Sequence, residues 1–309
     1  MKLSIIAPCK NEEGNVAKLY KKIDEVLKDI KYEIIYIDDG STDKTMEKLS
    51  ELYEKDPVHV KVLSFSRNFR KEAAMLAGLE HASGDYTCII DSDLQQNPSY
   101  LLEMLNFLDD NKDYDEVAMV MSKRTSDSKI MAGLKNIFYG LIDSLCDVHF
   151  ENAASDFRMF RSNVKDSMIS LHEKNRFSKG IFAWVGFKVK YLPYSVEART
   201  SGKSSFNFKA SLSYALDGIF AFSTKPLKLG YTCSFLSFLA FAIYLICMFI
   251  FRLYTGTSAI ILLILGMFGV LFFLVALIGD YLSRVYIETQ NRPNYILKEK
   301  LGFNDKNIL

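Results

Sequence analysis

The sequence predicts an α/β domain followed by membrane-embedded helices, and three patterns carry that expectation. Short β-branched runs alternate with helical patterns up to about residue 122. Polar and acidic clusters close the strand runs, and beyond residue 228 the chain turns almost continuously apolar. The 309 residues suffice for one catalytic core and an appendage, because single cores stop growing at about 250–300 residues.

The alternation begins with a strand pattern at Leu3 to Ala7 and a helical one at Val16 to Leu27. Glu33 to Ile37, Thr45 to Tyr53, Val60 to Phe65, Ala73 to His81, Tyr86 to Ile90, Tyr100 to Leu108 and Val117 to Met121 continue it. Such repetition implies a mainly parallel sheet with helices on both faces. Ligands then bind at the carboxyl ends of the strands, so the informative residues follow each apolar run.

Leu229 to Phe251 is an uncharged run of 23 residues and Leu253 to Gly279 one of 27. Both exceed the roughly 20 residues that a spanning helix requires, which predicts a hairpin of transmembrane helices at 229–251 and 258–280. The tail 281–309 carries Arg284, Arg292, Lys298, Lys300 and Lys306, against Arg252 alone in the connection. Positive charge favours the cytoplasm. The expectation is a multi-pass protein of the cell inner membrane with both termini and a catalytic domain, 1–224, in the cytoplasm. Met-Lys-Leu-Ser leads straight into a strand pattern and not into a signal peptide. Two amphipathic segments, about 129–150 and 207–224, either pack on the catalytic domain or lie in the membrane interface. Helical hairpins in membranes commonly associate, so a homo-oligomer is a further expectation.

Lys and Arg number 38 against 37 Asp and Glu, a net charge of +1. No basic field draws the chain to nucleic acid. The five cysteines include no C-x-x-C pair, and the four histidines lie far apart, so neither a disulfide framework nor a zinc site is indicated.

The polar clusters are Ala7-Pro8-Cys9-Lys10-Asn11-Glu12-Glu13, Asp38-Asp39-Gly40-Ser41, Ser66-Arg67-Asn68 and Asp91-Ser92-Asp93. Asp91 and Asp93 stand at i and i+2 after an apolar strand, so their side chains are expected on one side. Paired carboxylates suit Mg²⁺ or Mn²⁺, hard ions that complete their shell with phosphate oxygens. Bridging a diphosphate, such an ion neutralises charge on a departing nucleotide.

These clusters, with Phe69, the stretch Ala73 to Asp85 and Leu94-Gln95, resemble the GT-A domain of family 2 inverting glycosyltransferases. Asp156-Phe157-Arg158, Asn175-Arg176-Phe177, Trp184-Val185-Gly186-Phe187, Asp217-Gly218-Ile219, Phe222 to Leu227 and Asn291-Arg292-Pro293 extend the likeness to polyprenyl-phosphate glycosyltransferases of the bactoprenol glucosyltransferase and dolichol-phosphate mannose synthase group. The two-helix tail favours the bactoprenol branch. The resemblance implies a nucleotide sugar as donor, UDP-glucose first, and undecaprenyl or another polyprenyl phosphate as lipid acceptor. It implies that Pro8, Lys10, Glu12, Asp39, Ser92, Gln95 and Arg124 hold the nucleotide sugar, that Asp91 and Asp93 ligate the metal, and that Asp156 with Arg158 and Asp93 is catalytic. Arg176, Arg199 and Lys203 are implied to bind the acceptor or a phosphate, on the donor or the acceptor side. Two departures stand out: Gln96 replaces a frequent third carboxylate, and Gly202 is followed directly by Lys203.

Asp156 has two readings. A lipid monophosphate is already largely anionic, with a second pKa of roughly 6, so Asp156 either takes a residual proton or orients the acceptor through a cation. Competing functions are a GDP-mannose-dependent synthase of the dolichol type, a non-catalytic nucleotide-sugar-binding scaffold, and a processive polysaccharide synthase. The last calls for Gln-x-x-Arg-Trp, whereas the single tryptophan, Trp184, follows Ala183.

Overall fold

The computed structural model describes residues 2–121, 154–195 and 256–303, with scattered helical positions between 232 and 250. The chain forms two compact units, residues 1–137, 148–208 and 292–309 in one and residues 138–147 and 209–291 in the other.

Eight strands build the first unit: β1 (Lys2–Cys9), β2 (Lys31–Asp38), β3 (Val60–Phe65), β4 (Tyr86–Ile89), β5 (Glu116–Met121), β6 (Ala154–Arg161), β7 (Val189–Tyr194) and β8 (Leu297–Leu301). Its helices are α1 (Val16–Val26), α2 (Thr45–Lys55), α3 (Lys71–His81), α4 (Tyr100–Asp110), α5 (Ser162–Ser170) and α6 (Ser178–Trp184). The strands join one sheet in the order β7-β5-β6-β4-β1-β2-β3-β8.

Alternate strand residues face opposite sides of the sheet. Leu3, Ile5 and Ala7 of β1 and Ile34 and Tyr36 of β2 share a core with Leu19, Ile23, Leu49, Leu101 and Leu105 of α1, α2 and α4. The opposite face receives α3. There a Cβ on Gly78 would lie 2.3 Å from Ile6 Cγ2, so glycine is what lets the helix approach β1.

At the centre β4, β1, β2 and β3 are parallel, as expected. The sheet as a whole is nevertheless mixed, because β6 runs antiparallel to β4 and β5, and β8 antiparallel to β3. Neither reversal has a local signature, since a strand's direction depends on where the chain returns from. The segment 281–309, expected only as a tail, supplies β8. Around it Tyr295 stacks on Phe65 at 5.0 Å and Phe303 meets His81 edge-on at 5.2 Å.

One buried carboxylate ties together all four parallel strands near their amino-terminal ends. Glu33 Oε1 of β2 accepts hydrogen bonds from Ser4 Oγ of β1 (2.6 Å) and from the N–H (3.0 Å) and Oγ (2.7 Å) of Ser83, just before β4. Its Oε2 pairs with Lys61 of β3 at 2.6 Å and Lys2 of β1 at 3.0 Å. Burial alone would raise the Glu33 pKa, but these partners outweigh it and hold the carboxyl at about 2.

In the second unit α7 (Thr257–Thr289) contains, at Gly266–Thr289, the one helix among the described residues long and apolar enough to cross a membrane. Its 33 residues span about 50 Å, and Phe272, Leu282 and Tyr286 are exposed. The helix runs beyond the expected 258–280. Most of the expected partner, 229–251, lies outside the described residues, so the structure establishes an apolar helix and not a hairpin. The segments 129–150 and 207–224 also lie outside them.

Candidate active site

The carboxyl ends of β1 to β4 open into four loops that hydrogen-bond to one another. The Asn11 N–H donates to Ser41 Oγ at 2.9 Å, the Thr42 N–H to Asn11 Oδ1 at 2.9 Å, and the Glu12 N–H to Thr45 Oγ1 at 2.8 Å. Gly40, at φ +62°, tucks beneath the loop after β3, where a Cβ would meet the Arg67 carbonyl carbon at 2.6 Å. Asn11 (φ 55°), Arg70 (φ 75°) and Leu94 (φ 62°) adopt left-handed backbone in these same loops. Such outliers persist only where surrounding contacts enforce them, and they cluster at functional sites.

Most of the expected donor-binding residues line this rim. The Pro8 carbonyl accepts the Ser92 hydroxyl at 2.9 Å, joining the first and fourth loops. Exposed Lys10 lies close enough for its charge to act on Asp39. The Glu12 carboxylate accepts from Asn15 Nδ2 at 2.6 Å. Asp39 accepts the N–H groups of Phe69 at 2.6 Å and Arg70 at 3.0 Å. It thereby anchors the third loop, while burial raises its pKa.

The aspartate pair departs from its expected local geometry. β4 ends at Ile89, so Asp91 and Asp93 lie on the turn after the strand and alternation does not align them. Gln96, 4% exposed, fixes Asp91 instead: its Oε1 accepts the Asp91 N–H and its Nε2 donates to Asp91 Oδ2, both at 2.9 Å. The amide that replaces the frequent third carboxylate thus both donates and accepts, which a carboxylate cannot do. Asp93 Oδ1 accepts the Gln95 N–H at 3.1 Å.

Asp156 reaches the same spot through strand register. β6 pairs with β4 so that Ile89 faces Arg158, and Asp91 and Asp156 each lie two residues beyond that last pair. Two facing carboxylates repel unless a cation intervenes. Lys71, the first residue of α3, supplies it: Nζ lies 2.5 Å from Asp91 Oδ1 and 2.7 Å from Asp156 Oδ2. Burial disfavours charge on both sides of the Lys71–Asp156 pair, yet the pairing wins, raising the Lys71 pKa and holding Asp156 at about 2. Beside them Glu72 accepts both the N–H and the hydroxyl of Ser178, and burial pushes its pKa up to about 7. Lys71 and Glu72 had no motif to mark them, and Gln96 was marked only as the place of a missing carboxylate.

Two of the expected cations serve the scaffold. Arg158, 5% exposed, pairs with buried Glu116 at 2.6 Å and stacks on Phe182 at 3.8 Å. Arg176 donates to the carbonyls of Leu171 at 2.6 Å and Met168 at 3.1 Å. Both guanidiniums are committed inside the fold. Arg124, Arg199 and Lys203 lie outside the described residues.

Among the described residues no three His, Cys, Asp or Glu side chains converge as a metal cage. The rim still fits Mg²⁺ or Mn²⁺. Asp91 and Asp93 offer hard oxygens on one turn, and ions of this kind often take only one or two carboxylates.

Residues 4–167 match the family model for glycosyl transferase family 2. The Bacillus subtilis (strain 168) protein CsbB is 36% identical over 305 residues, 96% of this chain and 91% of that relative. An SfII prophage-derived bactoprenol glucosyl transferase of Shigella flexneri is 35% identical over 306 residues, 97% of this chain and 98% of the relative. In fold the chain is similar to glucosyl-3-phosphoglycerate synthase from Mycobacterium tuberculosis, solved with Mn²⁺, UDP and phosphoglyceric acid, with a TM-score of 0.52 at 18% identity over 71% of this chain and 76% of that one. With a GT-A-like mixed sheet and acidic groups gathered at its carboxyl rim, the chain belongs to glycosyltransferase family 2 and is a glycosyltransferase.

Proposed function

We propose that the protein is a membrane-bound inverting glycosyltransferase that moves glucose from UDP-glucose to undecaprenyl or another polyprenyl phosphate at the cytoplasmic face of the inner membrane. The product, a polyprenyl-phosphate glucose, serves cell-envelope glycosylation. The observation that carries this reading is the meeting of Asp91 and Asp156 on Lys71, just beyond the last β4–β6 pair, a donor-side and an acceptor-side carboxylate at one point. Relatives over nearly the full chain that bear the name bactoprenol glucosyl transferase support the acceptor class, and the apolar helix α7 supports the membrane.

In the reaction a phosphate oxygen of the lipid attacks the sugar C1 as the bond from C1 to the diphosphate oxygen breaks, its electrons leaving with UDP. Pro8, Lys10, Glu12, Asp39, Ser92 and Gln95 position the donor. A divalent cation on Asp91 and Asp93 would neutralise the charge developing on the departing diphosphate. Asp156, with its carboxyl held far below neutral pH, is a weak base. Its chemistry suits orienting the cations that receive an already anionic acceptor rather than removing a proton.

The test is transfer of radiolabelled glucose from UDP-glucose into organic-extractable lipid by membranes containing the protein. Wild type should label the lipid and Asp91→Asn should not. Binding of the donor without transfer by wild type would instead mean a nucleotide-sugar-binding scaffold.

A further inference from the structure

Arg158 and Arg176, two cations expected near the acceptor, are bound within the scaffold. Among the described residues, the positive charge available to an anionic headgroup beside Asp91 and Asp156 comes instead from two lysines. Lys71 Nζ spans Asp91 and Asp156. Lys179, on the first turn of α6, follows Ser178, whose N–H and hydroxyl bond to Glu72 beside Lys71, and its charge acts on Asp156. Lys179 is half-buried and forms no hydrogen bond or ion pair with the described residues.

We propose that Lys71 and Lys179 together form the seat of the acceptor phosphate, with Lys71 engaged by Asp91 until donor binding releases it. The inference rests on the lipid-phosphate reading above and adds the residues and the order of events. A divalent cation on Asp91 would lie close to the Lys71 ammonium, which sits 2.5 Å from Asp91 Oδ1, and like charge disfavours that arrangement. Once Asp91 ligates the cation of the donor complex, like charge turns Lys71 toward Asp156 and Lys179. Two ammonium groups then flank one carboxylate, a net positive site beside the donor. Asp156 holds the pair in place, and a phosphate with two negative charges matches them. Before that step the Lys71 charge is neutralised by two carboxylates, so the lipid headgroup binds productively only after the donor.

The experiment uses the full-length protein in detergent with UDP-glucose, Mn²⁺ and a short-chain polyprenyl phosphate, and it also measures Mn²⁺-UDP affinity directly by calorimetry. Lys71→Met and Lys179→Met should each raise the acceptor KM about tenfold or more, from loss of a charge-assisted phosphate contact. The donor KM should stay within about twofold of wild type. Mn²⁺-UDP affinity should be unchanged in Lys179→Met, and unchanged or tighter in Lys71→Met, where the competing ammonium is gone. Lys179→Arg should restore part of the acceptor affinity. Should Lys71→Met fail to fold, Lys179→Met, at the half-buried position, decides alone. An unchanged acceptor KM in Lys179→Met, or a donor affinity that falls in step with acceptor affinity, overturns the seat. If wild type itself fails to use polyprenyl phosphate, the acceptor reading fails and the seat with it. Turnover by wild type beside unaltered variants refutes the seat alone.

Discussion

Replacing Glu33 by Gln perturbs the site from its far end. Glu33 touches Ser4 and Lys2 of β1, Lys61 of β3 and Ser83 before β4, and the opposite ends of those strands carry Lys10, Asp39, Ser66 and Asp91. The carboxyl is held at about 2 against a reference of 4.5. At about 1.4 kcal/mol per pKa unit, the ionised form contributes about 3 kcal/mol to folding. The sign follows from the depressed folded value. The contribution is complete above pH 4.5, and it is lost as pH falls from there toward 2. Glu33→Gln should therefore cost about 3 kcal/mol at pH 7 and much less near pH 3. The fluorescence of the single tryptophan, Trp184 at the end of α6, gives the assay, since its surroundings change when the first unit unfolds. Urea titrations of wild type and variant at both pH values, read by that fluorescence, yield the two differences. Equal destabilisation at pH 7 and pH 3 would show that the network acts through shape and not charge.

Arg70→Gly should stabilise the first unit by about 1 kcal/mol in the same fluorescence assay, because it relieves φ +75° while keeping the N–H bond to Asp39, less the entropy glycine adds to the unfolded chain. Destabilisation would mean that the Arg70 side chain holds the loop. Arg158→Leu should cost about 3–5 kcal/mol by stranding the Glu116 carboxylate in the core, and Glu116→Leu/Arg158→Leu should recover a large part of it. A variant of Arg158 with full stability and no turnover would return that residue to the chemistry. Asp156→Asn should lower kcat by about 10- to 100-fold while leaving calorimetric UDP affinity intact; unaltered turnover removes Asp156 from the site.

The strands β1 to β5 were legible as short β-branched runs and α1, α2 and α4 by their helical period, whereas α3 is buried without a break from Ala73 to Leu79. The rule that ligands meet the carboxyl ends of parallel strands pointed to Pro8, Asp39 and Asp91. What stayed hidden depends on contacts between distant residues. Lys71 meets Asp91 and Asp156 only because α3 starts at the rim and β6 runs backwards beside β4. Arg158 and Arg176 advertise charge, but the Glu116 carboxylate and the carbonyls that bind them become visible only in three dimensions. Gln96 looked like a lost ligand, while its position shows a support for Asp91. β8 carries a weak strand signal in Leu297–Leu301 and exists because the β3 edge is there to receive it.

The most direct measurement is the rate of glucose transfer from UDP-glucose to purified polyprenyl phosphate by the full-length protein, first stripped with a chelator and then titrated with Mn²⁺. No transfer after stripping, recovery on titration, and no recovery in Asp91→Asn or Asp93→Asn are the predicted results. Turnover that survives the chelator would contradict a divalent cation at the rim of the sheet and the mechanism built on it.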